Sequence, residues 1–306
     1  MQDDPSRTSY RIAAPEPRRL DHVLSECVPH VSRRVLRAAI ASGAVRVNGR
    51  RGRKGDLLRT GDVVTLPPSL TAAALSGDAT LRVDILHVDS DLIAVNKPAG
   101  MPSVALRATD RSTLANFLTA HYPETASIGD HPFECGAVHR LDNDTSGALL
   151  VARTAEAYRR LRQTFRERRV EKIYLAVVRG EIREPRILST PLRPSGRRGA
   201  RTVIADPQRS AARAAETEVW PQRRLRDATL LRVRITTGVR HQIRAHLASI
   251  GHPVRGDRLY GPGDDVATRL LLHAAELHLR HPRLDEALHI DAPLPADFRA
   301  EIARLE

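Results

Sequence analysis

The chain has 306 residues, which is enough for a small module and one larger core domain. Its 49 lysines and arginines outnumber its 36 acidic residues, and the net charge of +13 favours a polyanionic partner such as RNA. No apolar run approaches the roughly 20 residues that a membrane span requires, so we expect no membrane span.

The two cysteines, Cys27 and Cys135, lie far apart in the sequence and make a poor disulfide framework. This usage favours a reducing cytoplasm, and two cysteines exclude a zinc site built from three or four thiolates. Residues 1–16 contain acids and prolines but no apolar segment, so we expect a flexible tail rather than a signal peptide.

Residues 17–69 are predicted to form a compact unit of two helices followed by a hairpin. Leu20–Cys27 has the pattern of a short amphipathic helix. A second helix is expected between Ser32, a suitable N-cap, and Gly43, a suitable end. The dipeptide Asn48-Gly49 is a strong signal for the tight turn of the hairpin.

Arginines are concentrated on one face of the second predicted helix and on the hairpin. Arg33, Arg37, Arg46 and Arg50 are predicted RNA contacts, because such an arrangement suits a phosphate backbone. A solvated charged face is the alternative interpretation. The run SRRVLRAAIASGAVRVNGR resembles the alpha-L RNA-binding module of a small-subunit ribosomal protein, and this resemblance favours RNA binding.

Residues 70–80 are small and largely uncharged, so they are expected to be a linker. Across residues 81–306, strand-like and helix-like segments alternate irregularly, without regular βαβ units. This pattern predicts an α+β domain with a largely antiparallel sheet. Within it, residues 191–213 are rich in Arg, Pro and Gly and are expected to be a basic loop or a ragged hairpin.

The segment from residue 139 to residue 147, HRLDNDTSG, is dense in polar groups and precedes an apolar strand, which is typical of a functional loop. Asp142 and Asp144 both lie here. On composition alone, either aspartate could be a turn residue that caps its own backbone, and this interpretation is favoured for Asp144.

A glycine opens a predicted helix in the run TGVRHQIRAH, residues 237–246. His241 and His246 are five residues apart and therefore lie on different helix faces, whereas zinc proteases place two histidines four apart. We expect these histidines to be structural or to contact RNA rather than to bind a metal.

Tyr174 and the lysines Lys97 and Lys172 also lie in conspicuous segments, EKIY and NKPAG. A core tyrosine in a strand is the alternative interpretation of Tyr174. Only three of the 49 basic residues are lysines. A lysine at these positions therefore indicates a role that the wide, planar guanidinium of arginine cannot fill.

Together these segments resemble the RluA-type pseudouridine synthases, from about residue 81 to residue 298. The matching pieces occur in the family's order and are NKPAGMPS, HRLDNDTSG, EKIYLAVVRG, GVRHQIRAHLASIGHPVRGD, LLHAAELHLRHP and DAPLPADF. The family commonly carries the alpha-L module at its N-terminus. The resemblance implies a mixed, largely antiparallel sheet with a central cleft, and isomerisation of uridine to pseudouridine in RNA.

By this resemblance Asp142 is the catalytic carboxylate. Arg244 would keep it ionised and oriented, while Tyr174 would pack against the target base and handle the carbon-5 proton. The reaction moves the uracil ring from its nitrogen to its carbon 5 on the ribose, so it implies no cofactor and no metal. Whether Asp142 attacks the sugar, attacks the ring or removes a ribose proton stays open.

The resemblance also suggests RNA contacts in the larger domain. Arg140 would enter the RNA stack when the uridine leaves it. The other predicted RNA contacts are His139, Lys97, Lys172, Arg240, His241 and Gln242. For Lys97 and Lys172, a structural role at the rim of the site is the alternative. Two positions depart from the family's pattern, since Val239 stands where arginine is frequent and Asn143 where a bulkier or charged residue is frequent.

Large-subunit ribosomal RNA is the favoured substrate, transfer RNA is the other candidate, and a monomer is expected. A catalytically inactive RNA-binding ribosome-assembly factor is the alternative function, motivated by the charge and the N-terminal module. A metal-dependent nuclease that uses the histidines is a third reading, which their spacing disfavours.

Deletion of residues 1–70 is expected to weaken RNA affinity and to flatten its dependence on salt, because the arginines of the module would no longer displace counterions from phosphates. Filter binding across a salt series would measure both effects, and circular dichroism would check that the remaining domain folds. An unchanged salt dependence would contradict phosphate contacts by the basic hairpin.

Overall fold

The computed structural model describes residues 7–28, 31, 33–67, 70, 75–130, 133–196, 200–206, 212–263 and 265–306. The predicted N-cap Ser32, the side chain of Arg33, and the first six residues of the expected tail lie outside this description, as do residues 71–74 of the expected linker. Among the described residues, no helix has both the length and the apolar character needed to cross a bilayer.

The N-terminal unit contains the two helices expected from the sequence, α1 (Leu20–Cys27) and α2 (Arg33–Ser42). Its strands are β1 (Thr8–Arg11), β2 (Arg18–Arg19), β3 (Arg46–Val47), β4 (Arg50–Arg51), β5 (Leu57–Leu58) and β6 (Val63–Leu66). Four of them form a sheet in the order β1-β6-β3-β4. Asn48 and Gly49 both have positive φ, +49° and +77°, which is what a two-residue turn between β3 and β4 requires.

The expectation of a flexible tail through residue 16 is wrong for its described part. Strand β1 pairs antiparallel with β6, with Thr8 opposite Leu66, and Ile12 and Ala14 are buried in the core of this unit. Apolar burial and a strand ladder therefore order these residues, although their sequence carries acids and prolines.

The expectation of a linker over residues 70–80 is also wrong for its second half. Leu75 is buried in the core of the larger domain. The Asn116 amide Nδ2 donates to the carbonyl of Ser76 over 2.7 Å, and the amide of Asp78 donates to the carbonyl of Asn116 over 3.0 Å. These contacts attach residues 75–80 to the larger domain.

The larger domain is built on one extended sheet. Its strands are β7 (Asp84–Val88), β8 (Leu92–Lys97), β9 (Ser146–Ala152), β10 (Glu171–Arg179), β11 (Arg186–Leu188), β12 (Leu192–Ser195), β13 (Arg201–Ile204), β14 (Thr217–Leu225), β15 (Ala228–Ile235), β16 (Leu272–Arg280) and β17 (Ala287–Asp291). Its helices are α3 (Leu114–His121), α4 (Ala155–Arg166), α5 (Gln242–Ser249) and α6 (Ala296–Arg304), with a 3₁₀ helix at Pro123–Ser127.

Nine of these strands form a sheet in the order β11-β14-β15-β10-β16-β9-β8-β7, with β17 added beside β16. All pairings are antiparallel except the short contact of β16 with β9, where His273 lies opposite Ser146. This mixed, largely antiparallel sheet confirms the α+β class predicted from the irregular alternation of segments. The other two strands, β12 and β13, pair as a separate hairpin within the stretch expected to be a basic loop or hairpin.

Alternate residues of the central strands pack into two different cores. On β8, Ile93 and Val95 belong to the core that includes α3, whereas Leu92 and Ala94 belong to the core that includes α4. Because successive side chains of a strand point to opposite faces, the two cores cover the two faces of the sheet. This explains why the apolar runs of β8 and β9 are continuous rather than alternating.

The parallel contact between β9 and β16 depends on Gly147. Its φ is +119°, and a Cβ atom there would lie 2.2 Å from the carbonyl oxygen of Ala274. No side chain fits at that distance, so the glycine allows the two backbones to approach. This contact fixes the end of the HRLDNDTSG loop against β16.

Gly147→Ala is expected to lower the free energy of unfolding by about 2–4 kcal/mol, since both the backbone conformation and the contact with Ala274 would be strained. Thermal denaturation would measure the loss. Gly251→Ala is the matched control, because Gly251 also has a positive φ, +82°, but its Cβ would meet nothing within 4 Å. Equal losses in the two variants would contradict the importance of the strand contact.

Candidate active site

A cleft of about 1620 Å³ contains most of the functional candidates of the larger domain. The HRLDNDT loop, Tyr174 on β10 and the start of α5 line it together. Basic side chains outnumber acidic ones in the lining and include Arg140, Arg162, Arg166, Arg168, Lys172, Arg213, Arg240, Arg244 and Arg258. The cleft therefore suits an anionic ligand.

Asp142 and Arg244 form an ion pair inside this cleft. The Nη1 atom of Arg244 donates to Oδ2 of Asp142 over 2.9 Å, although the two residues are far apart in the sequence. The Asp142 side chain is 22% exposed and the Arg244 side chain only 8%. The carboxylate thus faces the cleft, while the guanidinium supports it from behind.

Arg244 is itself held by a second carboxylate, that of Asp257. Its Nε and Nη2 atoms donate to the two oxygens of Asp257 over 2.7 and 2.8 Å, which is a two-pronged pairing of fixed geometry. Asp257 also accepts the backbone amides of Leu259 and Tyr260. Because Nε and Nη2 are held in this way, Asp257 also sets the direction of the third guanidinium nitrogen, Nη1, toward Asp142.

Burial and neighbouring charges set the pKa values of Arg244 and Asp257. Burial opposes ionisation of Arg244, but its hydrogen bonds and attraction to Asp257, and then to Asp142, raise its pKa. Burial alone would raise the pKa of Asp257, but the hydrogen bonds and charge of Arg244 lower it. Both groups are consequently charged at neutral pH.

Tyr174 lines the same cleft and is 7% exposed. Burial, followed by the negative charge of Asp142, raises the pKa of Tyr174 well above its usual range. The phenol therefore stays protonated at neutral pH. It can donate a hydrogen bond to a group in the cleft.

His241 and Tyr260 complete the environment of the ion pair. Nε2 of His241 lies 3.8 Å from Oδ1 of Asp142, and its Nδ1 lies 3.0 Å from the Tyr260 hydroxyl. The guanidinium carbon of Arg244 lies 5.3 Å from the centre of the Tyr260 ring, within cation–π range. Burial lowers the pKa of His241, which favours its neutral form.

Asp257 and Tyr260 are site residues that the sequence did not single out. Asp257 ends the segment GVRHQIRAHLASIGHPVRGD, in which it was given no separate role, and Tyr260 follows it three residues later. Asp257 lies between Arg255 and Arg258 in the sequence, and this pattern indicates an ion pair. Its partner could not be chosen from the sequence, because several arginines are equally near along the chain.

Lys97 does not fit the RNA contact predicted for it. Its side chain is fully buried, and its ammonium donates to the carbonyl oxygens of Pro98, Met101 and Asn143 over 2.9, 2.7 and 3.0 Å. Burial lowers the pKa of Lys97 to about 7, while Asp144 and Asp142 oppose this shift. The lysine instead ties the NKPAG turn to the loop that carries Asp142.

Gln242 likewise does not fit an RNA contact. It is 3% exposed, and its amide nitrogen donates to the carbonyl of Glu216 and to the Thr217 hydroxyl. Its amide oxygen accepts from the Thr237 hydroxyl and the amide of Val239. These bonds hold the start of α5 against β14.

His139 also has a structural role. Its Nε2 accepts a hydrogen bond from the amide of Leu150 over 3.0 Å, and its ring stacks on Phe165. Burial lowers the pKa of His139 to about 3, so the ring is neutral and its Nε2 is not free for RNA. His246 bonds to Thr190 and Thr217 and is structural, one of the two roles expected for it.

Of the other predicted RNA contacts, the arginines with described side chains lie on accessible surface, whereas Lys172 is buried. Arg140 and Arg240 are exposed on the lining of the cleft. Lys172 lines it too, and burial lowers its pKa to about 8 while its amine donates to the carbonyl of Thr236. On the N-terminal unit the exposed candidates are Arg37, Arg46 and Arg50.

Asn143 and Val239, the two departures from the family's pattern, both form hydrogen bonds through their backbone atoms. The carbonyl of Asn143 accepts from Lys97 and from the amide of Gly100. The amide of Val239 donates to the side chain of Gln242, and the Val239 side chain packs on an apolar cluster.

In the described part of the chain, two groups of side chains have ligand atoms close enough for a metal ion. They are Glu276 with His278 and His289, and Asp89 with Asp91 and His281. None of these residues lines the cleft. At the candidate site itself, the groups that meet are carboxylates, a guanidinium, a phenol and an imidazole.

Comparisons with known proteins identify the family of this chain. A family model described as RNA pseudouridylate synthase matches residues 91–249, and an S4 domain model matches residues 18–64. An uncharacterized RNA pseudouridine synthase of Chloroflexus aurantiacus is 37% identical over 295 residues, which cover 94% of this chain and 90% of the relative. The ribosomal large subunit pseudouridine synthase D of Xylella fastidiosa is 34% identical, with 100% and 95% covered.

Among solved structures, human RNA pseudouridylate synthase domain containing 1 is 28% identical with a TM-score of 0.57, and the match covers 70% of this chain and 84% of that one. Human RNA pseudouridylate synthase domain containing 4 has the same TM-score, 0.57, at 25% identity, with 72% of this chain and 92% of that one covered. The chain therefore belongs to the RluA-type RNA pseudouridylate synthase family and carries an N-terminal S4 domain.

Proposed function

We propose that this protein converts uridine to pseudouridine in large-subunit ribosomal RNA, with Asp142 as the catalytic carboxylate. The observation that carries the proposal is the Asp142–Arg244 ion pair in a cleft lined by basic side chains. The carboxylate is the more exposed member of the pair, with 22% of its side chain exposed against 8% for Arg244. A reactive group that faces a ligand and is supported from behind is typical of a catalytic residue.

The reaction is an isomerisation, so every atom of the uridine is retained. The bond from C1′ of the ribose to N1 of the uracil breaks, and a bond from C1′ to C5 forms. The proton on C5 leaves, and N1 ends with a proton. An ionised carboxylate can attack the sugar, attack the ring or remove a ribose proton, and each route requires the negative charge that Arg244 balances.

Tyr174 and Arg140 have different parts in the proposal. The Tyr174 ring forms an apolar wall for the uracil, and its protonated hydroxyl serves as a hydrogen-bond donor. Arg140 is exposed at the cleft two residues before Asp142, where its guanidinium can fill the stack that the flipped uridine leaves.

The choice of ribosomal RNA rests on relatives and on the N-terminal unit. The relative from Xylella fastidiosa and a 31% identical relative from Pseudomonas aeruginosa both have the name ribosomal large subunit pseudouridine synthase D. The S4 domain presents exposed arginines, which suits a structured RNA. Transfer RNA is the other candidate substrate.

The proposal places the enzyme in a reducing cytoplasm as a monomer that needs neither metal nor cofactor. The described cysteines, Cys27 and Cys135, are both free thiols. An inactive RNA-binding assembly factor is disfavoured, because such a protein has no use for an aspartate held against a buried arginine at the centre of a cleft.

Asp142→Asn is expected to reduce pseudouridine formation by roughly 1000-fold or more while RNA binding persists, because the amide keeps the shape but loses the charge. Chemical mapping of pseudouridine in incubated ribosomal RNA would measure it. Asp144→Asn is the matched control, since Asp144 lies in the same loop without the ion pair, and it should remain active. Full activity of the Asp142 variant would refute the assignment.

Asp257→Asn is expected to lower kcat by about 10–100-fold with little change in RNA affinity, because Arg244 would lose the carboxylate that orients it. Single-turnover kinetics and filter binding would separate the two effects. Asp265→Asn removes another partly buried ion pair, with Arg255, and should affect stability rather than kcat. If both variants reduced kcat alike, loss of stability would explain the result instead of misorientation of Arg244.

A further inference from the structure

Leu106 is exposed to an unusual degree for a leucine. It is 82% exposed, more than any other large apolar side chain in the described part of the chain. Single exposed leucines are common on protein surfaces and need no explanation by themselves. This one, however, lies in the lining of the same cleft as Asp142.

A closed turn holds Leu106 in its exposed position. One carboxylate oxygen of Asp110 accepts the backbone amides of Leu106 and Arg107 over 2.8 and 3.0 Å. The amide of Asp110 donates in return to the carbonyl of Arg107, and the Asn116 amide donates to the carbonyl of Asp110. The exposure of Leu106 is therefore imposed by the backbone and does not result from a loose loop.

The same segment is attached to the catalytic loop. The Ser103 hydroxyl donates to the carbonyl of Leu141 over 3.0 Å and accepts the amide of Leu141 over 3.2 Å. Leu141 directly precedes Asp142, and Ala105 directly precedes Leu106 and is buried. A short and ordered path thus links the exposed leucine to the catalytic carboxylate.

The surroundings of Leu106 indicate the chemistry of its partner. Exposed arginines flank it, Arg107 beside it and Arg111 on the cleft lining, so the partner carries negative charge. The apolar surface is a single side chain, which is too small for a protein interface. An unpaired nucleotide has both properties, a flat apolar face on the base and an anionic backbone.

We propose that Leu106 packs against the face of an unpaired nucleobase next to the target uridine, and this inference rests on the proposed function. The base must be unpaired, because the bases of a regular duplex cover one another's faces by stacking. Apolar side chains that enter a nucleic acid stack are a known mode of recognition. Leu106 would thus favour uridines in loops and at helix ends over paired ones.

Leu106→Ser is expected to weaken binding of in vitro-transcribed large-subunit ribosomal RNA by about tenfold. Because the lost contact is uncharged, the slope of log affinity against log salt should stay as in the parent protein. Filter binding in an Asp142→Asn background would measure the affinity and the salt slope without turnover. Leu106→Met, which keeps an apolar side chain of similar size, should retain most of the affinity.

Two matched variants make the result specific. Arg107→Ala changes the adjacent exposed residue and should reduce the salt slope by about one, because it removes one phosphate contact. Val266→Ser removes another apolar side chain, 70% exposed, and should change nothing. Leu106→Ser should also leave binding to a fully paired RNA duplex unchanged.

Unchanged binding of ribosomal RNA by Leu106→Ser would overturn the inference, as would an equal loss on the duplex or a changed salt slope. Failure of the proposed function would look different, since the parent protein with Asp142 intact would form no pseudouridine in the same RNA. Thermal denaturation should give equal Tm values for the parent and Leu106→Ser, because the side chain is not part of a core.

Discussion

Arg244 is almost fully withdrawn from water, and its guanidinium is held by two carboxylates rather than one. A buried cation is unfavourable unless opposite charges and hydrogen bonds compensate for its lost hydration. Asp257 does this through two short bonds and leaves one N–H group directed at Asp142. The orientation of the catalytic carboxylate therefore depends on an ion pair that faces the interior of the domain.

The architecture serves this interaction by holding the loop that carries Asp142 from several sides. Gly147 lets β9 approach β16, and Ser103 bonds to the residue before Asp142. The Lys97 ammonium bonds to the carbonyl of the residue after it. Because each contact uses the backbone of the loop, its side chains are left to face the cleft.

Lys97 differs from the arginines at the cleft rim. Those arginines are exposed and suit phosphates, whereas Lys97 is buried and bonds to three carbonyl oxygens. An ammonium has three N–H groups in a compact tetrahedron, and it meets three converging carbonyls better than a planar guanidinium can. This difference explains why a lysine stands there in a chain whose usual cation is arginine.

The sequence by itself determined the α+β class through the irregular alternation of strand-like and helix-like segments, and it placed Asp142, Arg244 and Tyr174 in motifs that resemble one family. It did not predict β14, β17 or α6, whose sequences carry weaker patterns and whose burial comes from packing on other elements. Only the tertiary structure decided that Asp257 orients Arg244, that Lys97 and Gln242 are buried, and that His139 bonds to the backbone of Leu150. The physical reason is that burial and pairing partners depend on contacts between residues distant in the chain, which local sequence does not encode.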